Sequence, residues 1–329
     1  MTMNESIGDF IERRNEEKFL FTAGPASLLE ENLSGLAPCF GRGDAQYAAE
    51  EQEVLSALLL MTGHQNIVRM QGAASLALEI MAINFLYGRV LIISTGYYSD
   101  RLYQLAKSAM KNIGAIKVLD VIDWTAIDAL AGRYDWIFCC YTETSRGIKF
   151  PIEIARRLAN QVGAKLMIDA TASIGLEGNH ELADVIAYSS CKGLFGLTGA
   201  AFIAYNEPSR VEINSFYLSL ATHIEKKVTG PYHAIQSLAG VLRRHSEIKG
   251  SVLENKKRAE RIFARYLEIP RQYQPNLCTY LTCKISSLKE GAILYYPRGN
   301  LEGSIICHLG EAHLGTSARG DILNILQVV

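Results

Sequence analysis

Between residues 66 and 205, short apolar runs alternate with longer amphipathic stretches, and this rhythm is the main structural signal in the chain. The runs at 67–70, 90–94, 115–119, 136–140, 165–168, 185–188 and 200–205 are rich in Val, Ile and Leu and bounded by Gly, Asp or Ser. Continuous apolar runs, rather than strict alternation, are what strands buried on both faces show. The intervening stretches, opening at 71, 99, 126 and 152, carry Leu and Ala at helical spacing. Together they predict an α/β fold with a mostly parallel sheet covered by helices on both sides. Function in such sheets gathers at the C-terminal ends of the strands.

Outside that region the pattern changes. Residues 1–18 read as a polar, charged helix, an arm suited to lie on a partner subunit. An apolar run from Phe19 is stopped by Gly24-Pro25, and a helix over 50–62 ends at Gly63, placed as a C-cap. After Thr229-Gly-Pro one long helix is expected over 232–266, with Arg243, Arg244, Lys256, Lys257 and Arg258 on a solvated face. Strands follow at 280–285, 292–296 and 304–309. The expected domains are an arm at 1–20, a large domain at 21–228 and a smaller, short α+β domain at 229–329.

Composition narrows the class of function. The chain has 329 residues, 49% hydrophobic and 20% charged, enough for a large core. A net charge of −1 gives no long-range attraction to nucleic acid or to an anionic membrane. Seven cysteines are an odd number without framework or zinc-ligand spacing, and Cys139-Cys140 sits inside an apolar run as buried thiols do. No signal-peptide pattern and no bilayer-length apolar window is seen. A soluble, cytoplasmic protein is expected, with no metal, nucleic acid or membrane partner.

The chemistry-bearing residues fall at the strand ends. The run 185–188 ends in Ser189-Ser190-Cys191-Lys192, followed by Gly193, Gly196 and Gly199. A lysine among apolar walls loses its proton readily, and the neutral amine is the nucleophile of Schiff-base chemistry. A surface lysine in a hairpin loop is the bland alternative. After 67–70 come Gly72-Ala73-Ala74-Ser75, small residues that open a helix and offer backbone N–H groups to a phosphate. Neither the Gly-x-Gly-x-x-Gly pattern nor a P-loop lysine is present, so dinucleotide and triphosphate readings are weak. After 90–94, Thr95-Gly-Tyr97-Tyr98 supplies aromatics for stacking on a flat ring. Asp169, after 165–168, is either an N-cap or the partner of a protonated ring nitrogen. Phosphate turn, aromatic, acid and lysine in this order form the constellation that holds pyridoxal 5′-phosphate.

These segments resemble the class V aminotransferases of the fold type I pyridoxal-phosphate enzymes, most of all the 2-aminoethylphosphonate–pyruvate and alanine–glyoxylate transaminases. Phe21-Thr-Ala-Gly-Pro resembles the family's Phe-Thr-Pro-Gly-Pro, Gly41-Arg-Gly-Asp its Ser-Arg-Asp, and Met70-Gln-Gly-Ala-Ala-Ser its phosphate turn. Thr95-Gly-Tyr-Tyr-Ser-Asp-Arg is similar to Asn-Gly-x-(Tyr/Trp)-Gly-x-Arg, and Tyr141-Thr-Glu-Thr-Ser-Arg-Gly to His-x-Glu-(Ser/Thr)-(Ser/Thr)-Thr-Gly. The resemblance implies that Lys192 forms the Schiff base and Asp169 meets the ring nitrogen. It makes Tyr98 the ring stacker, with Thr171 on the opposite face, and brings Ser145 to the ring hydroxyl. Ser190 joins Gly72, Ala73, Ala74 and Ser75 around the cofactor, and Thr229 touches the phosphate of a neighbouring subunit's cofactor. A homodimer with shared active sites is therefore expected, acting on a small amine and a 2-oxo acid.

Two departures from the family bear on the substrate. Ile305, in Ser304-Ile-Ile-Cys-His-Leu-Gly, stands where the resemblance places an arginine that grips the substrate carboxylate. Arg146 replaces a Thr beside the cofactor. Arg42, Arg146 or Arg298 is expected to supply the anion grip instead, with a plain surface role the alternative for Arg298. His180, His233 and His308 are read as packed or solvated rather than catalytic. Transamination is the leading function. A pyridoxal-phosphate lyase, decarboxylase or desulfurase, or a quiet binding protein of the same fold, are the alternatives.

Overall fold

The computed structural model describes residues 5–36, 41, 43–299, 301–312 and 322–329. Arg42, one of the three arginines proposed for the substrate, lies outside the described residues. Seven strands form the central sheet: β1 (Asn66–Gln71), β2 (Gly88–Ser94), β3 (Ile116–Asp123), β4 (Trp136–Cys140), β5 (Lys165–Asp169), β6 (Val185–Ser189) and β7 (Ala200–Tyr205). Their spatial order is β1-β7-β6-β5-β4-β2-β3, with β7 antiparallel to both neighbours and the other neighbouring pairs parallel. The mostly parallel sheet expected from the apolar runs is thus present.

Both faces are covered, which is why the runs are apolar throughout rather than alternating. Val90 and Ile92 of β2 pack with the helices Ala74–Phe85 and Tyr97–Ile113. Leu91 and Ile93 pack on the other face with Val54, Ile152 and Leu238, from the helices Ala45–Thr62, Ile152–Val162 and Tyr232–Leu242. Gly63 ends the Ala45–Thr62 helix at φ 70°, the left-handed C-cap its sequence suggested.

The single long helix expected over 232–266 is instead two, Tyr232–Leu242 and His245–Ile262, followed by a 3₁₀ turn. Local ties explain the break. Arg244 pairs with Glu31 and Glu247, and the His245 ring bonds the carbonyl of Gly193 at 2.7 Å. A Cβ on Gly240 would come within 2.5 Å of the Glu31 carbonyl, so this helix packs backbone to backbone against 30–34. Lys256, read as solvated, is buried and paired with Glu260 at 2.9 Å.

The later strands form two-stranded ladders: Cys278–Leu281 with Ser304–Cys307, and Ile285–Ser287 with Leu326–Val328. The expected strand at 280–285 is split because its two ends pair with different partners. Phe19–Phe21 runs parallel to Ala292–Leu294, tying the start of the chain to this region. The charged N-terminal helix, Ile7–Glu16, is capped by Ser6, and Asn15 donates to the Leu28 carbonyl of the same chain. No helix among the described residues is long and apolar enough to cross a membrane.

Candidate functional site

The C-terminal ends of β1, β2, β5 and β6 bring the sequence-predicted residues together. Lys192 follows β6 in a turn whose shape depends on two close backbone approaches. A Cβ on Gly193 would lie 2.2 Å from the Ile174 carbonyl, and one on Gly175 (φ +75°) 2.3 Å from the Gly193 carbonyl. Glycine at both positions lets the Lys192 turn press against the turn that follows Asp169. The Ser190 hydroxyl donates to the carbonyls of Leu197 and Ala200 and so braces the turn. Ala26 donates to the Cys191 carbonyl at 2.8 Å, and Gly24 packs against the Lys192 side chain.

Asp169, at the end of β5, is 3% exposed. One carboxylate oxygen accepts from the Thr171 N–H at 2.9 Å, and the other faces the Arg101 guanidinium at 3.6 Å. Tyr98 links acid and lysine: Arg101 lies over its ring at 5.1 Å and the Lys192 Nζ at 5.8 Å. Arg101 belongs to the quoted Thr95–Arg101 motif, but its pairing with Asp169 was not legible there.

Glu143 lies in the quoted 141–147 motif, but its role was not legible there. It is fully buried and accepts hydrogen bonds from the backbone N–H groups of Tyr98, Ser99 and Ser145 and from the Ser145 hydroxyl. It thus caps the N-terminus of the Tyr97–Ile113 helix, where a negative charge is favourable, and fixes the ring stacker's backbone. Burial nonetheless raises its pKa above the ordinary carboxyl value. A Cβ on Gly96 (φ +152°) would be 3.0 Å from the Glu143 side chain, so glycine is needed there too. The signal available in the sequence was an acid inside an otherwise buried run, two residues before Ser145. The Ser145 hydroxyl donates a hydrogen bond to Glu143 and accepts one from the Tyr97 N–H at 3.3 Å.

At the end of β1, Gly72 donates to the Gly199 carbonyl at 2.9 Å, which sets the Gly72–Ser75 turn beside the loop that follows Lys192. No side chain caps the helix opening at Ala74, leaving its first N–H groups for an anion. Thr229 is exposed. Its neighbour Gly230 abuts the buried Arg69, whose Nε donates to Glu51 at 2.7 Å.

Ile305 is 1% exposed and packs near Gly147 and Tyr280, so no charge enters from its strand. Arg146 is exposed, and its charge helps hold the Asp123 carboxyl below its ordinary value. Arg298 reaches the site rim. Its Nη1 donates to the Tyr97 hydroxyl at 2.9 Å and its guanidinium lies 5.2 Å over that ring. Tyr97 meets Tyr98 edge to face at 5.4 Å. A cavity of about 680 Å³ is lined by Tyr295, Pro297, Gly299, Glu302 and Ile305 but not by Lys192, Asp169 or Tyr98. His180 and His308 are buried, each with one ring nitrogen on a hydroxyl, Ser173 and Thr279 respectively.

The arrangement fits a flat, polar cofactor. The buried hydroxyl of Thr171 and the Arg101 Nε have no hydrogen-bond partner among the described residues. Polar atoms buried this way normally have one. Asp169, Tyr98 and Lys192, the acid, aromatic and amine singled out in the sequence, lie together here.

No protein-family model matches the chain. It is 25% identical over 256 residues to a 2-aminoethylphosphonate–pyruvate transaminase of Pseudomonas aeruginosa, covering 70% of this chain and 69% of the relative. Among solved structures it resembles an aspartate aminotransferase of subgroup IV from Thermus thermophilus, with TM-score 0.77, 19% identity and coverage of 93% and 99%. It also resembles alanine–glyoxylate aminotransferase from Nostoc sp., with TM-score 0.75, 17% identity and coverage of 99% and 96%. Sequence likeness and fold agree: the chain is similar in sequence to a transaminase and shares the fold of the aminotransferases named here.

Proposed function

We propose that this protein is a pyridoxal-phosphate aminotransferase that moves an amino group between a small amine and a 2-oxo acid. The observation that carries the reading is the buried Asp169 joined to Lys192 through the ring of Tyr98. The relatives named above support it. Tyr98 and Thr171 would hold the two faces of the cofactor ring, Asp169 its nitrogen, and the Gly72–Ser75 turn its phosphate. When bound, pyridoxal phosphate supplies an electron sink for the electrons left when a C–H bond beside nitrogen breaks.

The protein's own part is positioning and proton transfer. Asp169, which accepts the Thr171 N–H and faces Arg101, would meet the ring nitrogen. Glu143 fixes the helix end that carries Tyr98. Lys192 would accept and return the proton at the carbon beside the substrate nitrogen.

We also propose a homodimer that works in the cytoplasm. The described cysteines are all free thiols. Phe216 is 65% exposed, and Tyr217 stands with its hydroxyl 3.5 Å from the Gln71 carbonyl. Exposed aromatics beside a site suit a second copy of the chain, as does the exposed Thr229.

The test is the visible spectrum of the purified protein with added pyridoxal phosphate, Lys192→Ala serving as control. Bleaching by 2-aminoethylphosphonate and recovery with pyruvate are expected. A protein that takes up no cofactor, or one that consumes amines with no oxo-acid acceptor, overturns the reading.

A further inference from the structure

We propose that Arg298 is the anion grip of this site, holding the carboxylate, phosphonate or phosphate of the substrate from the rim. The argument is one of charge. A site that handles amines and 2-oxo acids must meet an anion, and two of its described cations are already engaged. Arg101 faces Asp169, and Lys192 is the reacting amine. Ile305 closes the neighbouring strand with an apolar, buried side chain. Arg298 is different. Among the described residues it meets no carboxylate, and its guanidinium shows one hydrogen bond, to the Tyr97 hydroxyl. A guanidinium carries five N–H donors in a planar fork, so it keeps a free edge for two anion oxygens.

Tyr97 makes that edge a positioned one. The ring stacks under the guanidinium at 5.2 Å and its hydroxyl accepts at 2.9 Å, two contacts that fix the plane of a side chain otherwise free in water. Tyr97 in turn packs edge to face on Tyr98, so the grip is registered to the ring that neighbours Lys192. An arginine stacked in this way cannot be exchanged for lysine without loss. The substrate class that follows is a small amine or oxo acid with an anionic group at the end opposite the reacting carbon. This assignment of ligand rests on the aminotransferase reading; the anion binding itself does not.

The experiment is calorimetric titration of the cofactor-loaded protein with ethylphosphonate, a dianion that has no amine to react. Wild type, R298Q, R298K and R146Q are compared. R298Q is expected to weaken binding by about tenfold or more, the scale of a hydrogen bond to a charged group. R298K should fall between it and wild type, and R146Q should match wild type. Equal binding in R298Q and wild type, loss in R146Q instead, or no binding by wild type would overturn the proposal. The visible band of the same samples separates the two readings. A colourless protein whose ethylphosphonate binding depends on Arg298 removes the cofactor and keeps the grip. A coloured protein indifferent to Arg298 does the reverse.

Discussion

The floor of the site and its rim are built on different physical terms. On the floor, Asp169 and Glu143 are 3% and 0% exposed, and each carboxylate is held by backbone donors or by an opposing charge. At the rim, Arg298 is exposed and rests on one phenol, in contrast to these two carboxylates. A buried carboxylate costs several kcal/mol unless it is satisfied, so floor residues constrain one another and leave little freedom to vary. An exposed guanidinium costs almost nothing to move or replace. The floor is thus suited to hold a cofactor in one pose, and the rim to set which small molecule enters.

That contrast can be broken most directly at Lys192. Lys192→Ala should lower single-turnover amine consumption by about a thousandfold or more, the usual worth of a positioned acid–base group. A smaller loss would mean the floor does not do the chemistry. Next comes Glu143→Ala, which leaves the N–H groups of Tyr98, Ser99 and Ser145 without their shared acceptor. Denaturant unfolding should show a loss of about 3 kcal/mol. A loss below about 0.5 kcal/mol, the range of ordinary surface changes, would put Glu143 with the rim.

Acid titration gives an effect of intermediate size. Burial pushes His180 and His308 down to about 3. The folded protein therefore keeps both rings neutral while the unfolded chain takes up protons at 6.5 and below. The unfolded state binds more protons in that window, so stability falls as pH drops from 6.5 toward 3, by about 1.4 kcal/mol per pH unit for each ring. His308→Asn should flatten the slope by roughly that amount, and an unchanged slope would show that the ring is not kept neutral by the fold. The smallest effect is expected at the rim. Tyr97→Phe removes the acceptor for Arg298 but keeps the ring, and should raise KM for an anionic amine about threefold with kcat nearly unchanged. A fall in kcat instead would tie Tyr97 to the floor.

Much of the floor could be read from residue order. Asp169 and Lys192 each follow an apolar run, and in a parallel sheet the ends of such runs share one edge. The phosphate turn announced itself through Gly72-Ala73-Ala74-Ser75, where small residues let a helix N-terminus stay open. Glu143 and Arg101 stayed hidden although both lie in motifs that could be quoted. Their roles depend on partners 44 and 68 residues away, Ser99 and Asp169, and no local pattern names such partners. The break of the 232–266 helix was hidden for the same reason, since its cause lies in Glu31 and Gly193. Arg298 illustrates the opposite case. Its setting in Tyr295-Tyr-Pro-Arg-Gly reads as a surface turn, and it is exposed as expected, yet it meets Tyr97 across 201 residues of sequence.

By itself the sequence determined the elements, their covered sheet and the strand-end placement of Lys192 and Asp169, because hydrophobic periodicity and turn chemistry are local properties of the chain. Tertiary structure alone decided which charges neutralise each other, which hydroxyls are left without partners, and which arginine stands at the rim. Those depend on distances between residues far apart in sequence, and at a few ångströms the burial of a charge and the nearness of its partner outweigh any local preference.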